Sequence, residues 1–244
     1  VVWTMPNAGS SVTLNCMQKN VDLLKTPAKE TILFPKKPVE TILKRLAPGL
    51  KYDVGNFPAL EDYHLLPGER PSRLLRQMAK EKAGLCFYRR GSIVFRKLSE
   101  LAKKEAKLIY EYDNRKAKNQ IIYFTRENSK AVIKDRVERH IIGWDMVKGL
   151  VKSGKKTTKP PEFVSVFNQP TMSGLLEIPF PSIDFITLGN GALVPGLPLS
   201  IKWNQAKLDA PIDESLPRKV VIGTVAHWYS SQKYFTRVKG VTVS

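Results

Sequence analysis

Two amphipathic segments in the first hundred residues predict helices. In the stretch PVETILKRLAPG, apolar residues recur three and four positions apart, Pro38 suits the first turn, and Pro48-Gly49 ends the run. A second helix is predicted to begin at Pro71, with Gly84 as its left-handed cap. The predicted apolar stripes are Val39, Ile42, Leu43 and Leu46 in the first helix, and Leu74, Leu75, Met78 and Ala79 in the second.

Strand-like sequence follows the second helix. Leu85–Tyr88 and Ile93–Phe95 predict a hairpin with a turn around Arg90-Gly91-Ser92. The stretch LSELAKKEAK, residues 98–107, predicts either a short charged helix or a linker. Beyond it, short half-alternating apolar runs are separated by Gly, Pro or Asn, which is typical of an antiparallel sandwich or barrel. The predicted fold class is therefore α+β, mainly β, with a small helix–hairpin α/β unit preceding an antiparallel β-barrel or sandwich domain.

Composition and charge narrow the function classes. The 244-residue chain is 42% hydrophobic and 25% charged, which is typical of a globular protein, and no run of about 18 apolar residues predicts a membrane-spanning helix. The net charge of +18 favours a polyanionic partner, such as nucleic acid, an acidic membrane surface or an acidic protein. Cys16 and Cys86 are interpreted as small buried apolar groups, since two cysteines and three histidines indicate neither a disulfide framework nor a zinc cluster.

The stretch GLVKSGKKTTKPP partly matches a phosphate-binding loop. Gly149, Gly154 and Lys155 fit the pattern G-x-x-x-x-G-K-[ST], but Lys156 stands where the magnesium-binding hydroxyl is needed. Two prolines follow closely and oppose the helix that such a loop opens. A solvated basic connection between two strands is the favoured interpretation, and it is available to an anionic partner. Its lysines are Lys148, Lys152, Lys155, Lys156 and Lys159.

The ionisable residues do not indicate catalysis. His64, His140 and His227 lie in strand-like apolar sequence, which predicts partly buried side chains. No nucleophile motif, metalloprotease motif or close carboxylate pair is present, and Glu61-Asp62 and Asp213-Glu214 are interpreted as loop charges. We therefore expect a non-enzymatic protein with no cofactor, metal site or small-molecule substrate.

The stretch from Pro38 to Phe95 resembles the hub proteins of contractile phage tails, namely the late control protein D family and the hub part of type VI secretion spike proteins. The shared order is a short helix, an extended piece, a tyrosine-containing strand, an acid in a turn, a helix and a hairpin. Here the tyrosine is Tyr63 and the turn acid is Glu69. The helix is Ser72–Ala83, followed by Gly84, and the hairpin is Leu85–Phe95, which contains Gly91.

Two later stretches resemble the same family. The sequence Gly143-Trp144-Asp145 is similar to one of its strands. The last section is similar to its closing strands, with Pro195-Gly196, then Val225 and His227, then Tyr234–Val243. In order and spacing, these pieces cover about two thirds of the chain.

The resemblance implies a fold and an assembly. It implies two related β-barrels with a small α/β unit, and a homotrimer in which two barrels from each subunit form a pseudo-sixfold ring. The expected segments are 1–35, a remnant of the first barrel or a strand arm; 36–100, the α/β unit; and 101–244, the second barrel. About 35 residues are too few for a complete barrel, so the first barrel is expected to be missing or reduced.

The function implied by the resemblance is structural. The protein is expected in the virion tail baseplate, after assembly in the host bacterial cytoplasm, where it joins the tail tube to the central spike. Its partners would be copies of itself and the tail spike and tail tube proteins, without stable membrane insertion. Trp3, Trp203 and Trp228 are either anchors for subunit contacts or core residues. The basic surplus is expected to face acidic proteins, because tight DNA binding would hinder DNA passage.

The sequence leaves two alternative functions open. A basic nucleic-acid-binding module would use the Lys148–Lys159 loop, and its affinity would fall steeply with salt. A cell-wall hydrolase would need a pair of catalytic acids, and no such pair with a recognisable context is present.

Overall fold

The computed structural model of this protein describes most of the chain in two compact units, residues 1–96 and residues 97–244. The predicted fold class is confirmed, because the structure is mainly β and contains a six-stranded closed barrel. The described residues are 1–5, 7–8, 11–12, 14–59, 61–126, 140–145, 147–154, 160–164, 172, 174–175, 179–204 and 216–243.

The first unit combines three helices with small sheets. Strands β5 and β7 form an antiparallel pair, and a three-stranded sheet has the order β6-β9-β8, in which β6 is parallel to β9. Two further antiparallel pairs are β1–β4 and β2–β3. The elements are β1 Val2–Thr4, β2 Asn7–Ala8, β3 Ser11–Val12, β4 Asn15–Cys16, α1 Lys19–Leu23, β5 Ile32–Phe34, α2 Val39–Leu46, β6 Lys51–Val54, β7 Tyr63–Leu65, α3 Pro71–Glu81, β8 Leu85–Arg89 and β9 Ser92–Arg96.

The two predicted helical stripes form the core of this unit. All four stripe residues of α2 are buried, as are Leu74, Leu75 and Met78 of α3. They pack with Phe34 of β5 and Phe95 of β9. Spacing of three and four residues was therefore sufficient to locate the core. The assignment of residues 1–35 to a remnant of a first barrel stays a prediction.

The end of α3 differs from the prediction for Gly84. The left-handed residue is Ala83, with φ of 50°, whereas Gly84 has no positive φ. A Cβ atom on Gly84 would lie 2.9 Å from Cε1 of Phe95. Glycine is therefore needed at position 84 for close packing against the aromatic ring, and the strained backbone falls one residue earlier.

The turn between β8 and β9 matches the prediction. Arg90 and Gly91 are its two central residues, with φ values of 44° and 78°. Positive φ at both positions defines the type I′ turn, whose twist matches that of the flanking strands. Gly91 meets this requirement without strain.

The second unit contains the barrel and a smaller sheet. The barrel order is β10-β11-β15-β18-β17-β16, closing on β10, and the small sheet has the order β13-β12-β14. The stretch 98–103 is a short helix, the first of the two predicted alternatives. The elements are α4 Leu98–Lys103, β10 Leu108–Tyr112, β11 Gln120–Arg126, β12 Ile141–Asp145, β13 Gly149–Ser153, β14 Glu162–Val164, β15 Pro179–Leu188, β16 Pro198–Trp203, β17 Lys219–Ser230 and β18 Lys233–Val243.

One barrel strand departs from a fully antiparallel arrangement. Strand β10 is parallel to both of its neighbours, β11 and β16, whereas the other barrel pairs are antiparallel. Glu111 lies opposite Gln120, so only the end of β10 meets the start of β11. This stagger lets a short loop join two parallel strands without a long crossover.

Large side chains fill the barrel. Tyr110, Phe185 and Val238 are almost completely buried, and the indole Nε1 of Trp203 donates to the Pro217 carbonyl at 3.0 Å. Trp203 is therefore a core residue rather than an exposed anchor. Among the described residues, no helix is long and apolar enough to cross a membrane.

Candidate functional site: two exposed apolar surfaces

The outer wall of the barrel carries a row of apolar side chains. Because side chains alternate along a strand, Phe185 of β15 points into the barrel, whereas Ile186 and Leu188 flank the inward-pointing Thr187 and face outward. Leu188 lies opposite Phe235 of β18, which lies opposite Trp228 of β17. These three residues form one row across three adjacent strands.

The row continues on the neighbouring strand. Ile186 pairs with Tyr123 of β11, and Ile122 lies beside it at an irregularity in the register. Leu188 and Tyr123 are 56% and 59% exposed. The barrel-wall patch is defined as Ile122, Tyr123, Ile186, Leu188, Trp228 and Phe235. Contiguous exposed apolar surface of this kind is typical of an interaction site.

A charged cluster borders the barrel-wall patch. Arg237 donates to both carboxylate oxygens of Asp184, at 2.8 Å from Nε and 2.6 Å from Nη2. Lys239 lies 3.6 Å from the same carboxylate. The Arg237 hydrogen bonds lower the pKa of Asp184. The edge of the barrel-wall patch thus carries one carboxylate held by two cations, so both signs of charge are present there.

Strands β17 and β18 form an antiparallel hairpin, called the barrel hairpin below, and it contains His227, one of the family-motif positions. Its Nδ1 lies 2.9 Å from the Tyr234 hydroxyl and 3.0 Å from the Thr236 hydroxyl. The imidazole is exposed, so the prediction of a partly buried side chain is wrong here, and it is wrong for His64 as well. His140 is half-buried as predicted. The His227 contacts are structural cross-strand pairs near the end of the hairpin.

A second exposed surface lies on the small sheet. One face packs against the buried side chain of Met172, and Gly143 faces it so closely that a Cβ atom would lie 3.0 Å from the methionine sulfur. The opposite face carries Trp144, Leu150 and Phe163, which are 60%, 59% and 74% exposed. The sheet patch is defined as Trp144, Leu150 and Phe163 together with Ile142, which lies on the same face but is only 8% exposed.

Two lysines of the predicted basic loop flank the sheet patch. Lys152 lies opposite Ile142 on the same face, and Lys148 lies in the preceding turn. The backbone N–H groups of Lys148 and Val147 donate to Asp145, which lowers its pKa. Lys155, Lys156 and Lys159 lie outside the described residues.

The local structure differs from a phosphate-binding loop. Residues 149–153 form strand β13, antiparallel to β12, whereas such a loop follows a strand and opens a helix. Gly149 and Gly154 have φ values of 73° and 93° and bound this strand at its two ends. This part of the chain therefore contributes a sheet edge rather than a nucleotide cradle.

In the first unit, the family-motif positions have local structural roles. Burial raises the pKa of Tyr63, which lies in β7. Glu69 accepts the Leu66 N–H at 3.0 Å and forms an ion pair with Arg73 at 2.8 Å, which closes the turn before α3. Together with Gly84 and Gly91 described above, these positions shape the α/β unit.

In the second unit, the motif positions are divided between a turn and the exposed surfaces. Gly196, preceded by Pro195, has φ of 79°, and its N–H donates to the Ile222 carbonyl at 2.7 Å. Trp144 lies in the sheet patch, whereas His227 lies on the barrel hairpin.

A buried ion pair corrects the interpretation of Glu61 as a loop charge. Lys82 donates to Glu61 and to the Pro58 carbonyl, and its Nζ lies 5.7 Å from the centroid of the Tyr63 ring. The Lys82 and Glu61 side chains are 2% and 7% exposed. No cluster of metal-ligating side chains occurs among the residues that the structure describes.

The two cysteines have different environments. Cys86 is half-buried and burial raises its pKa to about 11, which agrees with an inert apolar thiol. Cys16 is exposed, so its interpretation as a buried group is wrong.

Sequence reasoning did not identify the barrel-wall patch. A signal was present, since Ile121, Ile122, Tyr123 and Phe124 are four consecutive apolar residues in a part of the chain predicted to form antiparallel strands. An antiparallel strand with one solvated face should alternate, so an uninterrupted apolar run indicates that both faces meet apolar surroundings.

The fold is shared with three solved phage tail proteins. They are the 43 kDa tail protein of prophage MuSo2 from Shewanella oneidensis (13% identity, TM-score 0.55), a tail protein from Neisseria meningitidis MC58 (12%, 0.61) and prophage tail protein gp18 from Listeria monocytogenes EGD-e (11%, 0.53). The matches cover 98%, 99% and 98% of this chain, and 77%, 79% and 76% of those chains. No protein-family model and no curated protein matches this chain by sequence.

Proposed function

We propose that this chain is a structural protein of a phage tail, and specifically the baseplate hub of a contractile tail or a phage-derived injection apparatus. The observation that carries the proposal is the fold likeness to three tail proteins over nearly the whole chain. The family motifs at Tyr63, Glu69 and Trp144 support the hub role. In this role the protein is non-enzymatic and joins the tail tube to the central spike.

The barrel-wall patch is the surface proposed for self-association. Its exposed side chains are large and contiguous, and burying one such side chain contributes about 1.5–3 kcal/mol. The Asp184–Arg237 border offers both signs of charge to a neighbouring subunit. In a cyclic trimer each subunit contacts its two neighbours through two different surfaces, so the barrel-wall patch would meet a second, complementary surface on the next subunit.

The proposed location is the virion tail baseplate, after assembly in the host cytoplasm. The proposed partners are copies of the chain, the tail spike protein and the tail tube protein. DNA would meet the ring only in passage. The role requires no cofactor, small-molecule substrate or stable membrane insertion.

A matched pair of leucine variants tests self-association. Leu188 in the barrel-wall patch and Leu150 in the sheet patch are 56% and 59% exposed, so a charge at either position has a similar effect on folding. In sedimentation velocity experiments, the unmodified chain and Leu150→Asp should form trimers, whereas Leu188→Asp should be monomeric. A chain that remains monomeric at every concentration and salt level, even with its spike partner, would contradict the proposal.

A second function is favoured by the net charge of +18 and by Lys148 and Lys152 beside exposed aromatic rings. A nucleic-acid-binding module predicts tight DNA binding that weakens steeply as salt rises. Lys148→Glu together with Lys152→Glu should then abolish binding. An unchanged affinity in this double variant eliminates that function.

A further inference from the structure

We propose that the sheet patch is a docking surface for an acidic, apolar segment of another protein. The geometry separates this surface from the small core of the sheet. Residues opposite one another in register share a face, so Ile142 groups with Phe163 and Lys152, and Trp144 groups with Leu150. Ile141, Val151 and Val164 occupy the other face, where they pack against Met172.

The patch combines size with exposure. Trp144, Leu150 and Phe163 present most of their side-chain surface, and Val147 in the adjoining turn is 92% exposed. Apart from the indole N–H of Trp144, the four patch side chains carry no hydrogen-bonding group. An occupant must therefore cover aliphatic and aromatic surface rather than satisfy a set of polar contacts.

The charged side chains around the patch favour an occupant with negative charge. Lys152 shares the face of the patch, and Lys148 lies at its edge. Asp145 is on the opposite face, where it accepts the backbone N–H groups of Val147 and Lys148. Lys148 and Lys152 thus place positive charge on and beside the patch, and carboxylates on the occupant would meet them favourably.

A second copy of this chain is a poor occupant. Patch-to-patch contact would bring Lys148 and Lys152 of both copies together. Nucleic acid would satisfy the lysines and stack its bases on Trp144 and Phe163, but it carries no aliphatic side chains to pack on Leu150. A protein segment with apolar residues and carboxylates satisfies both features.

A random-peptide display library panned against the full chain tests this assignment. The enriched peptides should combine several large apolar residues with a net negative charge. Their affinity should fall by about ten-fold or more for Leu150→Asp and for Lys152→Glu, and replacing their Glu by Gln should weaken them similarly. Leu188→Asp should bind them normally, which separates this surface from the barrel-wall patch.

Three outcomes would overturn the proposal. The enriched peptides could lack acidic residues, or bind Leu150→Asp and Lys152→Glu as tightly as the unmodified chain. Oligothymidylate could instead bind more tightly than any selected peptide and depend on the same two residues, which would assign the surface to nucleic acid. Since Leu150 and Lys152 are exposed, circular dichroism should show both variants folded. The test reads peptide binding, so its result is independent of whether the chain forms trimers.

Discussion

The ion pair between Lys82 and Glu61 is expected to be the most sensitive polar interaction of the first unit. Lys82 follows directly after α3, whereas Glu61 lies in the segment before β7, so the pair joins two parts of the chain 21 residues apart. Both side chains are almost completely buried, and Lys82 also donates to the Pro58 carbonyl at 2.8 Å. Replacing Lys82 by Ala leaves the Glu61 carboxylate buried without its cation.

The expected cost follows from that burial. Removing one partner of a buried ion pair typically destabilises a protein by about 3–5 kcal/mol, because the remaining charge has lost both water and its counterion. Replacing both Glu61 and Lys82 by Met removes both charges and keeps most of the side-chain volume. The double variant should therefore be more stable than either single variant.

Urea unfolding followed by far-ultraviolet circular dichroism measures these differences. The control is Lys44→Ala, which removes an exposed ion pair with Glu40 and should leave the unfolding midpoint nearly unchanged. A Lys82→Ala variant that unfolds at the same urea concentration as the control would refute the reasoning. It would show that water reaches the carboxylate of Glu61.

Three further predictions concern local strain, pH and thiol reactivity. Ala83→Gly should stabilise the protein by about 1 kcal/mol because φ is positive at this position, whereas Gly84→Ala should lower the thermal midpoint because its Cβ would meet the Phe95 ring. A higher thermal midpoint for Gly84→Ala than for Ala83→Gly would contradict the assignment. The pKa of Asp184 is lowered in the folded state, so the stability that Asp184 contributes is present above the usual Asp pKa and is lost as pH falls through the folded-state pKa. In unfolding titrations, Asp184→Asn should remove that part of the loss of stability in acid. An unchanged dependence of stability on pH in this variant would contradict the prediction. Iodoacetamide at mildly alkaline pH should label the exposed Cys16 rapidly and Cys86 slowly, because burial raises the pKa of Cys86 to about 11. Equal labelling rates of the two cysteines, measured by peptide mass spectrometry, would contradict this prediction.

Helices α2 and α3 and the hairpin of the first unit could be predicted because their signals are local, whereas α1 was not predicted. Apolar spacing located α2 and α3, and Gly91 located the turn between β8 and β9. The position of the left-handed residue at Ala83 could not be predicted, because it depends on how closely Phe95 packs against Gly84. Backbone freedom alone favours Gly84 as the left-handed residue, but tertiary packing against Phe95 places that conformation at Ala83.

The exposed surfaces and the buried ion pair depend on contacts between distant residues. Half-alternating strand sequence does not specify which face is covered, so Trp203 in the core and Trp144 in the sheet patch could not be distinguished from sequence. Similarly, a lysine and a glutamate 21 residues apart give no local sign of pairing. The parallel pairing of β10 is another tertiary result, since it depends on a stagger between strands.

The central claim is that this chain acts by assembling into a ring in a phage tail. Negative-stain electron microscopy of the full chain, at a salt concentration that screens its positive charge and with its spike partner present, tests that claim most directly. The account predicts closed rings with a central hole and threefold or pseudo-sixfold symmetry. Uniform single-subunit particles without rings, at every concentration tested, would contradict it.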